Sequence, residues 1–483
     1  MSDCCTGNDS CETENRNKTS DLLVIGAGSA GFSAAITAAE DGADVLLVGD
    51  GTIGGTCVNV GCVPSKTMIR AVETVHQAQS ASRFNGIRGT AGIFNWKALV
   101  NQKKQLVESL RKSKYIDVLP SYPKIDYVEG KAVFTGNGTE VEIHEQIYSP
   151  RKIIIATGSS AVLPPINGIQ SVPVLNSTTA LELETLPKSM LVIGGGYIGT
   201  ELGQMFARTG AKVTIFCRSR LLPEAEPEIS KSITEYLKAE GVTVLQGIRY
   251  KSIEKTRKGI KLVYENQNGL ESIEAEQILA ATGRRANSGG MGLEKASIKL
   301  LKNEGIEVNE YMQTTNPDIY AVGDVTGKDM FVYMAAYGGK LAAKNALEGN
   351  HLQYDATVIP SVTFTDPQVA SVGLTEAEAK SKGYDVKTSL LTLDNVPRFI
   401  AARDTRGLIK LVADSKTDII LGAHILSPEG GDSIQTMVIS IKAGLTTEDL
   451  ANTIFPYLTA VEGLKLAAQT FDMDISKLSC CAG

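Results

Sequence analysis

The chain has 483 residues, a formal net charge of −6, 43% hydrophobic residues and 21% charged ones. That length exceeds one compact core and implies two to four domains, with the composition of an ordinary soluble protein. The acidic surplus argues against nucleic acid or an anionic membrane as the main partner, and no apolar run approaches the roughly 20 residues that span a bilayer.

The first twenty residues, MSDCCTGNDSCETENRNKTS, are polar and lack the apolar centre of a signal peptide. Residues 1–20 are therefore expected to be a disordered tail and the protein to be cytoplasmic. Ordered structure is expected from Asp21, where Asp21-Leu22-Leu23-Val24-Ile25 reads as a strand running into a glycine turn. A helical stretch over Ala30–Asp41 and a second strand over Ala43–Val48 complete a βαβ unit. The pattern returns about 170 residues later as a strand at Met190–Ile193, a helix at Tyr197–Thr209 and a strand at Ala211–Phe216. Arg151–Gly158 (RKIIIATG) and Gln277–Gly283 (QILAATG) each read as a strand closing on a small-residue turn. From about Asp355 the chain turns to short β-rich runs, Ser361–Thr365 and Leu408–Val412, and then to helices at Ser433–Gly444 and Val461–Thr470. That last part reads as a separate α+β domain.

Gly26-Ala27-Gly28-Ser29-Ala30-Gly31 and Gly194-Gly195-Gly196-Tyr197-Ile198-Gly199 both fit G-x-G-x-x-G between strand and helix. Such glycines let backbone N–H groups at a positive helix end approach a pyrophosphate. One match is a weak signal, because glycine turns also serve packing; two in the same context point to two dinucleotide sites. The residue about 20 positions further on reads the ribose. In the second unit it is Cys217, followed by Arg218 and Arg220, which suit a 2′-phosphate and favour NADPH over NADH. In the first unit it is Gly49, which departs from the acidic residue expected for FAD; either the adjacent Asp50 substitutes or the ribose is held less well.

Eight cysteines are too few for a disulfide scaffold and read as redox or metal groups. Cys57 and Cys62 lie in GGTCVNVGCVPSK, where five residues on one helix place them near one face. Zinc would need two more ligands, and none lies nearby.

This stretch, with both glycine motifs, both ATG turns and Ile319–Asp324 (IYAVGD), resembles the pyridine nucleotide–disulfide oxidoreductases over residues 21–483. The resemblance implies an α/β fold of two Rossmann-like dinucleotide-binding domains plus a C-terminal α+β dimerisation domain. FAD would occupy 21–158, NADPH 159–284, with a central FAD-side segment at 285–352, dimerisation over 353–470 and a cysteine-bearing tail at 471–483. It further implies that Cys62 faces the flavin, that Cys57 is the exchanging thiol, and that Lys66 pairs with Glu201 beside the flavin. Asp324 would bond the flavin's ribitol. Gly51, Thr56, Ala132, Gly158 and Val332 match further flavin-contacting positions, alongside Gly26, Gly28 and Gly31; Gly194, Gly196 and Gly199 match the NADPH turn.

Disulfide-reducing members carry a histidine before Pro-Thr near the C-terminus, with a glutamate five residues later, because a leaving thiolate must be protonated. Here the matching segment is FPYLTAVE: Glu462 is present, but the histidine position is Tyr457, a phenol with a pKa near 10. The ending Leu478-Ser479-Cys480-Cys481-Ala482-Gly483 resembles that of the family members that reduce mercuric ion. There a vicinal pair serves the partner subunit's site and passes Hg(II) to the inner pair, by ligand exchange between soft thiolates. Tyr115 and Tyr457 match tyrosines near the metal. The expectation is a homodimeric flavoenzyme of mercury detoxification that takes thiol-bound Hg(II) to Hg(0), with Cys57, Cys62, Cys480 and Cys481 as metal ligands. A large thioredoxin reductase is the alternative, and it needs the missing histidine. Cys4, Cys5 and Cys11 read as a vestigial metal scavenger or as part of an inert segment, and Cys217 as a buried strand-end residue.

Overall fold

The computed structural model describes residues 19–136 and 138–474. Cys4, Cys5, Cys11, Cys480 and Cys481 lie outside the described residues. Two compact units share the chain: one takes the described part of Met1–Cys57 with Leu110–Ser160 and Arg285–Tyr354, the other Val58–Ser109, Ala161–Arg284 and the described part of Asp355–Gly483.

The first unit is built on a five-stranded sheet in the order Ile319–Ala321, Lys152–Ile155, Leu22–Ile25, Val45–Gly49, Ile125–Glu129, with every pairing parallel. The central runs LLVI and VLLVG are buried at every position, as expected of parallel strands covered on both faces. The helices Ser29–Glu40 and Val332–Glu348 pack closely: a Cβ on Gly339 would lie 2.3 Å from the carbonyl oxygen of Ala30.

The second unit holds a parallel sheet in the order Thr243–Leu245, Lys212–Phe216, Ser189–Ile193, Gln277–Ala280. It also holds an antiparallel five-stranded sheet: Ser361–Thr363, Gln368–Gly373, Ile420–Ser427, Leu408–Asp414, Val386–Thr392. The helix Gly430–Lys442 covers the antiparallel sheet, and the helix Cys62–Gln79 packs on Tyr197–Arg208. No helix among the described residues is long and apolar enough to cross a membrane.

The antiparallel sheet carries a buried charge cluster. Lys410, 2% exposed, donates to Glu226 and Glu228 at 3.0 Å and to Glu376 at 2.8 Å. The Lys380 and Lys410 ammonium groups hold the Glu376 carboxyl down at about 2. His424 sits beside this cluster, its Nε2 against the Leu374 carbonyl at 3.1 Å and its buried Nδ1 without a hydrogen bond. Burial lowers the His424 pKa; Lys410 adds to that, while the Leu374 carbonyl, Glu226 and Glu378 oppose it. The unfolded chain therefore binds this proton more readily than the folded one. Stability tied to His424 is complete above about pH 6.5 and is lost as the pH falls below it. The apparent unfolding temperature at fixed scan rate should drop between pH 7 and pH 5.5, and the drop should be smaller in His424→Gln. An unchanged slope in that variant would remove His424 from the account.

Candidate redox and cofactor site

Both glycine motifs meet the same packing demand in the same way. Gly26 at φ +121° and Gly194 at φ +112° turn each chain out of its strand. A side chain on either would place Cβ 2.2 Å from a carbonyl oxygen, that of Ala156 or of Ala281. The last glycines lie against the first: a Cβ on Gly31 would sit 1.7 Å from the Gly26 oxygen, and one on Gly199 2.0 Å from the Gly194 oxygen. Between them, Gly28 and Gly196 start their helices with no side-chain cap and no acid in the first turn. At Gly28 two backbones pass bare, since a Cβ on Gly55 would come within 2.6 Å of the Gly28 Cα. These are cradles that a side chain would fill, with the positive helix end aimed at the gap, and they fit two dinucleotide pyrophosphates.

In the first unit, Asp324 lies in the turn Gly323–Thr326, where its carboxylate accepts from the Ser159 hydroxyl at 2.5 Å. Ser159 directly follows Gly158, so the ATG turn and the ribitol-matching acid are joined. Val332 opens the helix Val332–Glu348, Ala132 is buried, and Gly51 and Thr56 are exposed at either side of the turn leading into the cysteine motif.

In the second unit, Cys217 is 2% exposed, and a Cβ on Gly195 would strike its Sγ at 2.3 Å. Burial pushes its thiol up to about 12, so it is a packing residue as expected from its strand-end position. The two arginines part company here. Arg218 is exposed, whereas Arg220 donates from Nη2 to the Pro223 and Ala225 carbonyls at 2.8 and 2.6 Å. Arg220 Nη2 thus braces its own loop, and Arg218 is the more exposed of the two arginines expected at the 2′-phosphate. Arg218→Ala should raise KM for NADPH about tenfold with little change for NADH, as for one exposed charge-assisted bond. Arg220→Ala should affect both cofactors. Equal effects of Arg218→Ala on the two would end the 2′-phosphate assignment.

The cysteine pair does not share one helix. Gly55–Asn59 is a short helix containing Cys57, and a new helix, Cys62–Gln79, begins at Cys62. Gly61 interrupts them at φ −114°, ψ −108°, outside helical geometry and natural for the residue with the poorest helix propensity short of proline. The break puts Cys62 at the first position of an 18-residue helix with no side-chain cap, where the helix dipole favours a thiolate. Cys57 is half-buried and Cys62 exposed. One turn after Cys62, Lys66 donates from Nζ to Glu201 Oε2 at 2.8 Å. Glu201 is buried, and its other oxygen accepts the Phe364 backbone N–H at 2.8 Å. The Phe364 ring lies under the ammonium, 4.6 Å away. Phe364 was not anticipated, since no motif surrounds it and it is 163 residues from Glu201.

Tyr115 lies on the single π turn Lys112–Ile116 and meets the Phe32 ring edge-on at 4.8 Å. Tyr457 is 54% exposed. Glu462, buried at the start of the helix Glu462–Gln469, accepts the Leu458 backbone N–H at 3.0 Å and fixes the turn just after Tyr457.

Two dinucleotide cradles and a cysteine pair flanking a helix break define an oxidoreductase that moves electrons between nucleotides and thiols. Residues 20–339 match the family described as pyridine nucleotide-disulphide oxidoreductase, and 359–468 match its dimerisation domain. A mercuric reductase of Lysinibacillus sphaericus is 49% identical over 465 residues, 96% of this chain and 84% of its own. One from Streptomyces lividans is 46% identical over 467 residues, 96% of this chain and 98% of its own. The solved HOCl-induced flavoprotein disulfide reductase RclA from Escherichia coli superposes with a TM-score of 0.83 at 29% identity, covering 93% of this chain and 99% of that one. The chain belongs to the pyridine nucleotide-disulphide oxidoreductase family, uses FAD and NADPH, and is a homodimer.

Proposed function

We propose that this protein is a cytoplasmic enzyme that reduces Hg(II) to elemental Hg(0). The observation that carries the choice of substrate is the turn at Tyr457. There the buried Glu462 carboxylate holds a backbone N–H, and the residue at the acid–base position is an exposed phenol. The histidines at 76, 144, 351 and 424 all lie elsewhere in the chain. Disulfide reduction must protonate a leaving thiolate, and a phenol does this poorly at neutral pH. Reduction of Hg(II) takes two electrons and returns its ligands as thiolates, which need no proton within the step. The relatives named mercuric reductase point the same way.

We assign 21–158 and 285–352 to FAD, 159–284 to NADPH and 353–470 to dimerisation. When bound, NADPH supplies a hydride and FAD relays its electron pair towards the cysteines. Arg218 and the turn at Gly194, Gly196 and Gly199 hold the first cofactor; Gly26, Gly28, Gly31 and Asp324 hold the second. Lys66, held in place by Glu201, sets a positive charge one turn from Cys62. Cys62 and Cys57 ligate Hg(II) as soft thiolates, with Tyr115 and Tyr457 in support. Cys480 and Cys481 of the partner subunit's tail take the ion from external thiols and pass it inward, so that each site is shared between subunits.

The test is NADPH oxidation by the purified protein with Hg(II) and excess thiol, beside the same assay with a disulfide. One Hg(0) per NADPH, with little disulfide turnover, is expected. Cys480→Ala with Cys481→Ala should slow reduction of Hg(II) held by bulky thiols far more than Hg(II) held by small ligands. Faster turnover of the disulfide than of Hg(II) would replace this reading with that of a thioredoxin reductase-like enzyme.

A further inference from the structure

The strand Val45–Gly49 ends where a unit of this kind normally presents an acid to the adenosine ribose. Gly49 cannot do so, and the structure shows what has taken the space. A Cβ on Gly49 would lie 2.8 Å from the Tyr127 hydroxyl and 2.8 Å from the Ala27 Cβ. Ala27 is the second residue of the first glycine motif, so this point borders the nucleotide cradle. Tyr127 comes from the neighbouring strand, Ile125–Glu129, in the register Leu47↔Tyr127 and Gly49↔Glu129. Side chains alternate across a strand, which puts Tyr127 on the face of Leu47 and Val45, against the helix Ser29–Glu40. It is packed against the apolar cluster to which Ala27, Ala30 and Leu47 belong.

The Tyr127 ring is half-buried, yet its hydroxyl makes no hydrogen bond among the described residues. The oxygen is not one of the fully buried unpartnered atoms, so it is open to water or a ligand. Burial first, and the Glu129 carboxylate second, raise its pKa, so it stays a neutral O–H able both to donate and to accept. Asp50 lies exposed just past the strand end.

We propose that Tyr127 replaces the missing acid of position 49 as the side chain that binds the adenosine ribose of FAD, directly or through one water. Gly49 and Tyr127 form a matched pair, since any larger residue at 49 would displace the hydroxyl. This rests on FAD occupying the first glycine motif.

The experiment uses full-length protein stripped of flavin and titrated with FAD and with its 2′-deoxyadenosine analogue, followed by flavin fluorescence. Native protein should prefer FAD, by roughly three- to tenfold for one hydrogen bond. Tyr127→Phe should weaken FAD by a similar factor and bring the two affinities together. Because that preference is a ratio within each variant, incomplete folding does not imitate it. Gly49→Glu alone should lose FAD affinity, and Gly49→Glu with Tyr127→Val should regain both affinity and preference. An unchanged preference in Tyr127→Phe would overturn the proposal, as would its loss in Glu129→Gln alone. Stripped native protein that takes up no FAD at all would overturn the flavin assignment along with it.

Discussion

Alanine at Cys57 or at Cys62 is expected to cut Hg(II)-dependent NADPH oxidation by at least about three orders of magnitude, as removal of an essential nucleophile does. Both proteins should still purify yellow, because neither thiol belongs to the glycine cradle or to the Asp324–Ser159 contact. The two variants should differ in one respect. Cys62 begins an uncapped 18-residue helix, whereas Cys57 sits in the five-residue helix before it. A helix dipole acts mainly within its first turn, so the thiolate is favoured at Cys62. On the reading that Cys62 faces the flavin, two-electron reduction of the native protein and of Cys57→Ala should give long-wavelength thiolate–flavin absorbance, and Cys62→Ala should lack it. Turnover above a thousandth of native in either variant would defeat the dithiol mechanism. The absorbance surviving in Cys62→Ala would exchange the two roles.

The sequence disclosed the parts of this protein that are governed by local rules. Fully apolar runs such as Leu22–Ile25 and Met190–Ile193 declare buried parallel strands, and the spacing of the glycines after them is set within the motif, where Gly31 and Gly199 lie against the Gly26 and Gly194 oxygens. The break at Gly61 was less legible. The periodicity from Cys57 to Lys66 suits one helix, and one glycine does not by itself say whether a helix tolerates it or stops. Long-range partners were beyond local reading. Phe364 positions Glu201 from 163 residues away, and Tyr127 reaches Gly49 from the next strand of the sheet. Arg220 shows the converse: it has the right type and place for a phosphate, but the carbonyls of its own loop already engage it. Residue type states what a side chain can bind; which partner holds it depends on the fold.

The glycines of the second motif separate packing from cofactor approach, and their substitutions should have different stability signatures. Gly199 lies inside the helix Tyr197–Arg208, where alanine would ordinarily gain about 1 kcal/mol of helix propensity. Here its Cβ would come 2.0 Å from the Gly194 oxygen and 3.3 Å from the Ala281 Cβ. The clash outweighs the propensity, since backbone that must move costs about 1–3 kcal/mol. Gly199→Ala should therefore lower both the apparent unfolding temperature and the affinity for NADPH, the latter on the order of tenfold to a hundredfold. Gly196 has an ordinary φ of −83°, and its Cβ would meet no atom within 4 Å. Gly196→Ala should leave the flavin-loaded protein as stable as before and retain its FAD. Its methyl group would project where the pyrophosphate must approach the helix N-terminus, so NADPH affinity should still fall about tenfold or more. Calorimetric titration with NADP⁺ reads both variants directly, without depending on turnover. Native affinity in Gly196→Ala would mean that the pyrophosphate does not lie on this turn, and the NADPH assignment of the second motif would then fall.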